Sequence, residues 1–259
     1  MAGFDFSGKN VLVTGASSGI GLAVARGFAA AGANLSILAL DGDRLAAAST
    51  AIGEEFDCPV TALPCDIRDR EAVRGALSRL DRIDCLINNA GLELLTPMAE
   101  EGDAVEAAFR SVIETNVFGT YYVTRDALPR MPDGSSIVAT ASVWAKSAEA
   151  GFSAYCASKH ANLGFIRTLA LELAPRRIRV NAVCPGYINT EAAALSVRTD
   201  ALRTGRSETA IAAAWIAKQA LPGLMEPQAV VSSFLFLASD LSADITGQSL
   251  HVDRGEFMD

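Results

Sequence analysis

Residues 155–159 read YCASK, which sets a tyrosine and a lysine four positions apart. On a helix, positions i and i+4 share one face, so Tyr155 and Lys159 would point the same way. The chemistry open to such a pair is proton transfer. A free tyrosine has a pKa of about 10, too high for a base near neutral pH. An ammonium close by favours the phenolate. At roughly 4 Å and an effective dielectric of about 20, the two groups interact by about 4 kcal/mol, on the order of three pKa units. Tyr155 could then take the hydroxyl proton of a secondary alcohol while hydride leaves the carbon, or return that proton to a carbonyl. By itself YxxxK is ordinary helix surface, so the rest of the chain must supply a site around it.

The elements that would position the pair are legible as an alternation. Short β-rich runs fall at Asn10–Thr14, Asn34–Leu38, Val60–Pro64, Asp84–Asn88, Ser136–Thr140, Arg179–Cys184 and Ser249–Asp253. Between them lie helical patterns at Gly19–Ala31, Asp43–Phe56, Asp69–Leu80, Ala104–Leu128, Ser153–Leu173 and Pro227–Ala238. Such alternation means βαβ units and an α/β fold: one Rossmann-type, doubly wound parallel sheet of about seven strands with helices on both faces. At 259 residues this is a single domain, 1–259. The stretch 190–222 departs from the alternation and is expected to be a substrate-binding lid.

The first unit, VLVTGASSGIGLAVA, runs from a buried strand through Gly15, Gly19 and Gly21 into an apolar-periodic helix. A glycine turn that opens a helix presents backbone amides and a positive helix end to a pyrophosphate. Glycines alone also suit a plain tight turn.

With TGASSGIG, Asn88-Asn89-Ala90-Gly91, Tyr155 to Lys159 and Pro185-Gly186 in this order, the sequence resembles the short-chain dehydrogenase/reductase family from about Lys9 to Asp253. The resemblance implies a catalytic tetrad of Asn116, Ser142, Tyr155 and Lys159. Ser142 would hold the substrate oxygen, Tyr155 would move the proton, and Lys159 would tune it and grip the nicotinamide ribose. Asn116 would support a water linking Lys159 to solvent. It further implies that Gly15, Ser17, Ser18, Gly19 and Ile20 surround the pyrophosphate and its ribose, and that Asp66 and Ile67 contact the adenine. Asn88, Ala90 and Gly91 would line the adenosine side, and Pro185, Gly186, Ile188 and Thr190 the nicotinamide. A homotetramer, or otherwise a dimer, is implied as well. Arg254 stands where the family commonly has glycine.

The cofactor is expected to be NAD, with NADP as the alternative. Ala39 occupies the place of the acid that many NAD-using relatives have, and Leu40 that of the arginine of many NADP-using ones. Asp41 would bond a 2′-hydroxyl or repel a 2′-phosphate; its other reading is a helix N-cap. For the substrate, Ser142, Trp144, Glu149 and Tyr187 are the candidates. Glu149 would bind a second hydroxyl or stand solvated at the mouth, and Trp144 would be packing or an apolar wall. Glu93 reads as structural or exposed.

The expected reaction is oxidation of a small or cyclic secondary alcohol, diol or polyol, reversibly from the ketone. Its closest alternative is NADPH-dependent carbonyl reduction. A silent nucleotide-binding protein is opposed by the complete tetrad, and a nucleotide-sugar epimerase by the missing C-terminal substrate domain. A formal charge of −8 argues against nucleic acid. No signal-peptide pattern or membrane span is read, and the five cysteines and two histidines show no metal spacing. A cytoplasmic protein with reduced thiols and no metal is expected.

Overall fold

The computed structural model describes residues 3–100 and 102–258; Met1, Ala2, Glu101 and Asp259, counted within the expected domain, lie outside the described residues. Seven strands form one sheet: β1 Asn10–Thr14, β2 Asn34–Ala39, β3 Val60–Pro64, β4 Cys85–Asn88, β5 Ser136–Thr140, β6 Arg179–Pro185 and β7 Ser249–Val252. Every pairing is parallel and the order is β3-β2-β1-β4-β5-β6-β7. The helices are α1 Gly19–Ala30, α2 Gly42–Phe56, α3 Arg70–Leu77, α4 Asp103–Ile113, α5 Thr120–Ala127, α6 Ser153–Leu173, α7 Glu191–Thr204, α8 Glu208–Ile216 and α9 Val231–Ala238.

Neighbouring strand residues point to opposite faces, and each face has its own core. Val11 and Val13 pack with Phe28, Leu45, Ile52 and Phe234, under α1, α2 and α9. Leu12 points the other way, with Leu38, Leu86 and Ile137, against Leu77, Val123, Leu163 and Ile166 of α3, α5 and α6. This explains why VLV is apolar throughout: a strand covered on both sides has no solvent face. Each such side chain contributes on the order of 1.5–3 kcal/mol by its burial.

The expected helix over Ala104–Leu128 is interrupted. Glu114–Gly119 forms a π-helical turn between α4 and α5, and Leu128–Arg130 closes the run as 3-10 helix. The extra residue in such a turn rotates the rest of the helix about its axis, a distortion that concentrates at functional sites. Asn116 sits in it, 1 % exposed.

The lid stretch is a pair of helices, α7 and α8, followed by irregular chain to Glu226. Val197, Ile211 and Trp215 anchor the pair on Phe152 and Cys156 of the main body. Strand order reverses between β1 and β4, which opens a crevice at their carboxyl ends, where open α/β sheets take ligands.

Candidate active site

That crevice is a cleft of about 510 Å³, floored by the β1–α1 turn, the ends of β4, β5 and β6, and roofed by the start of α7. Gly15, Ser17, Ser18, Gly19, Ile20, Asp41, Asp66, Ile67, Ala90 and Gly91 line one end. Ser142, Trp144, Tyr155, Lys159, Pro185, Gly186, Tyr187, Ile188 and Thr190 line the other.

The glycine turn has no room for a side chain at Gly15 or Gly21. A Cβ on Gly15, whose φ is +67°, would lie 2.8 Å from Ala90 Cα, and one on Gly21 would collide with the Gly15 carbonyl and Asn89. Ser18 is the N-cap of α1 but makes no side-chain cap bond, so the helix start keeps donors for an anion. Asn89 locks this turn: its Nδ2 donates to Thr14 O at 3.1 Å and its Oδ1 accepts from Thr140 Oγ1 at 2.9 Å. A diphosphate fits this bare cradle beneath a helix N-terminus.

At the reacting end, Thr96 starts α6 in the right place. Its Oγ1 accepts from Ala154 N at 3.0 Å, and its own N donates to Gly151 O at 2.7 Å. One turn later Lys159, 4 % exposed, lies with Nζ 5.3 Å from the Tyr155 ring centroid and donates to Thr140 O at 2.7 Å. Burial pulls its ammonium down to about 8, against the charges of Glu93 and Cys184. Burial also pushes the Tyr155 phenol up, and Glu93 pushes it further, while Ser142 opposes both. No hydrogen bond joins the Lys159 ammonium to that phenol; it donates to the Thr140 carbonyl and keeps its charge over the ring. Ser142 stands two residues past β5, its Oγ accepting from Trp144 N at 3.2 Å.

Comparison with known proteins agrees with this geometry. The family model described as Enoyl-(Acyl carrier protein) reductase, adh_short_C2, matches residues 15–256. The 3-oxoacyl-[acyl-carrier-protein] reductase FabG of Chlamydia pneumoniae is 35% identical over 256 residues, covering 96% of each chain. L-sorbose reductase from Gluconobacter frateurii, solved with NADPH and L-sorbose, superposes with a TM-score of 0.88 at 28% identity, covering 98% of both chains. Carveol dehydrogenase from Mycobacterium avium, solved with NAD, gives 0.88 at 28% over 98% of this chain and 99% of that one. The chain belongs to the short-chain dehydrogenase/reductase family. It is an oxidoreductase of CH–OH and carbonyl groups.

Several expectations change in this short-chain dehydrogenase/reductase. Asn88 does not line the cleft: its Nδ2 donates to Thr124 Oγ1 at 2.9 Å, which turns the amide into the packing against α5. Asn116 is likewise behind the wall. Its amide spans the Leu92 backbone, accepting from N at 2.7 Å and donating to O at 2.9 Å, and reaches Ser158 Oγ at 2.9 Å. It therefore braces the loop after Gly91 instead of facing the cleft. Glu149 also fails to line it and pairs with Lys218, within the lid stretch just after α8. Its place is taken by Glu93, read from sequence as structural or exposed, which lines the reacting end. Asp41 adopts the N-cap reading, accepting from Arg44 N at 3.0 Å, yet it remains at the cleft edge. Asp66 lines the cleft with its carboxylate held by Arg68 Nε at 3.0 Å and Nη2 at 2.6 Å, and this pairing keeps its pKa low.

Trp144 is both packing and wall. It meets Phe152 at 4.9 Å and stands edge-on to Tyr155 at 5.8 Å and Trp215 at 6.1 Å, while Tyr187 meets Trp215 at 5.3 Å. Trp215 and Glu256, which no motif marks, complete this end from α8 and the C-terminal tail. Arg254 has a φ of +57°, the left-handed conformation that a glycine enters most easily. Among the described residues no group of His, Cys, Asp and Glu could hold a metal ion.

Proposed function

We propose that this enzyme uses NAD to oxidise a small or cyclic secondary alcohol, diol or polyol, and reduces the ketone in reverse. The observation that carries it is the convergence of Ser142, Tyr155 and Lys159 in a cleft whose other end is a glycine turn at the start of α1. A nicotinamide dinucleotide, when bound, supplies the hydride acceptor. Gly15, Gly19 and the start of α1 would hold its diphosphate, and Pro185, Gly186, Ile188 and Thr190 would border its nicotinamide. Ser142 donates to the substrate oxygen and fixes it beside the Tyr155 hydroxyl. Tyr155 takes the proton in oxidation and gives it back in reduction. Lys159 carries the positive charge that favours the phenolate, and its hold on Thr140 keeps the ammonium at that depth.

The preference for NAD is supported by charge. Arg44 is tied to Glu191 at 2.9 Å and Arg68 to Asp66 at 2.6 Å, so both cations at the adenosine end are matched, and Asp41 adds negative charge. NADPH-dependent carbonyl reduction is the second reading, favoured by the NADPH-bound sorbose reductase. As in the family generally, we place the enzyme in the cytoplasm as a homotetramer. All five cysteines are free, and no helix among the described residues is long and apolar enough to cross a membrane.

The test is a panel of secondary alcohols, diols and sugar alcohols with NAD and with NADP, followed at the absorbance of reduced nicotinamide. Wild type is expected to show the lower KM for NAD. Tyr155→Phe is expected to lose turnover by at least about 10²–10⁴-fold, the usual worth of a general base, while still binding cofactor. Substantial turnover in that variant would remove Tyr155 from its role.

A further inference from the structure

The reaction as proposed leaves Glu93 unused. This carboxylate borders the cleft together with Ser142, Tyr155, Tyr187 and the two tryptophans of the chain, Trp144 and Trp215. Its Oε1 accepts from Ser196 Oγ on α7 at 2.6 Å, so the lid fixes its orientation. Among the described residues Oε2 makes no hydrogen bond. Glu93 lines the same cleft as Tyr155, Tyr187 and Lys159, and its charge pushes both phenols and the ammonium towards their protonated forms. Burial raises its own pKa, opposed by Ser196 and Lys159.

A desolvated carboxylate with one open oxygen needs a donor when water is expelled from the cleft. The one partner it has is a neutral hydroxyl, and Oε2 offers a second hydroxyl the same kind of bond. The walls around it are largely aromatic, with faces that pack on C–H groups, and among the described residues none of their hydroxyl or indole N–H donors bonds Oε2. Resting on the reading above, we propose that Glu93 is the specificity-determining residue and selects substrates with a second hydroxyl near the reacting carbinol, diols or polyols over simple alcohols. A mono-alcohol leaves Oε2 without a donor. A site built to bond a hydroxyl discriminates strongly against the analogue lacking it.

The experiment compares kcat/KM for cyclohexanol, 1,2- and 1,3-cyclohexanediol and 2-aminocyclohexanol, and for 2-butanol against 2,3-butanediol, in wild type and Glu93→Gln. Wild type is expected to prefer a diol over its mono-alcohol by at least about tenfold, and Glu93→Gln to reduce that ratio by about 10- to 100-fold. Cofactor binding, read by quenching of Trp144 and Trp215 fluorescence, confirms that the variant is folded. Should it not fold, Ser196→Ala, which frees the carboxylate, carries the test and is expected to lower the same ratio several-fold. A ratio near one in wild type, a ratio unmoved in the folded variant, or a preference for the amino alcohol over the diols overturns the inference and leaves the dehydrogenase reading standing. No reduced cofactor from any probe in wild type sinks both.

Discussion

At the scale of single residues, the pair that opens the site behaves differently from two groups facing each other in isolation. Lys159 makes no hydrogen bond to the Tyr155 hydroxyl; its Nζ lies over the ring and donates to Thr140 O. Its stability consequence has a definite sign. The folded pKa, about 8, lies below the ordinary 10.5, so burying the charge opposes folding throughout the range below pH 8. Above pH 8 the folded chain releases the proton first, and the penalty fades towards pH 10.5. This difference in pKa corresponds to about 3 kcal/mol. Urea unfolding of wild type and Lys159→Met should therefore show their stability difference moving in favour of wild type by about 3 kcal/mol between pH 8 and 10.5. A difference that stays constant with pH contradicts this placement of the ammonium. The variant also lacks the charge that favours the phenolate, so its turnover should be lost.

At the scale of elements, the π turn is the feature that converts a helix into a brace. Asn116 faces the chain after Gly91 only because Glu114–Gly119 holds one residue more per turn than an α-helix would. Thr120 and Thr124 reinforce it, their hydroxyls donating to Asn116 O at 2.8 Å and Thr120 O at 2.7 Å. Asn116→Ala removes three hydrogen bonds and leaves the partly buried Leu92 amide and carbonyl without these partners. The expected cost is about 2–4 kcal/mol, a fall in Tm of roughly 5–10 °C. Because Leu92 adjoins Glu93, kcat/KM should fall as well, and calorimetry beside steady-state kinetics reads both. Unchanged stability would mean that the turn is not held by this amide. Nothing in the sequence announces the π turn, since the apolar pattern over Ala104–Leu128 is continuous.

At the scale of the whole molecule, two separate apolar faces are left open. Phe118, Tyr121 and Leu171 are exposed on the side of α5 and α6, and Leu241 and Leu250 lie exposed near β7, whose outer edge carries no strand among the described residues. Exposed apolar patches and open edges call for partners. Were each face to pair with its own copy, the chain would build a dimer of dimers, the arrangement of the proposed homotetramer. Light scattering should give four chains of 27.1 kDa, and Phe118→Glu should release dimers. A monomeric wild type would remove the proposal.

The sequence by itself determined the alternation, the parallel sheet and the glycine turn, because each rests on local periodicity or local turn chemistry, while a resemblance to a family pointed to Ser142, Tyr155 and Lys159. Strand limits read from the pattern agree with the structure to within a residue or so. What only the tertiary structure decided is which neighbouring side chain of a pair faces the cleft. Asn88 turned to Thr124 and left Asn89 at the turn; Glu149 turned to Lys218 and left Glu93 beside the phenol. Thr96 capping α6 and Ser196 holding Glu93 are contacts across 57 and 103 residues. Local pattern cannot encode such partners, because a side chain's direction is settled by whatever the folded chain brings against it.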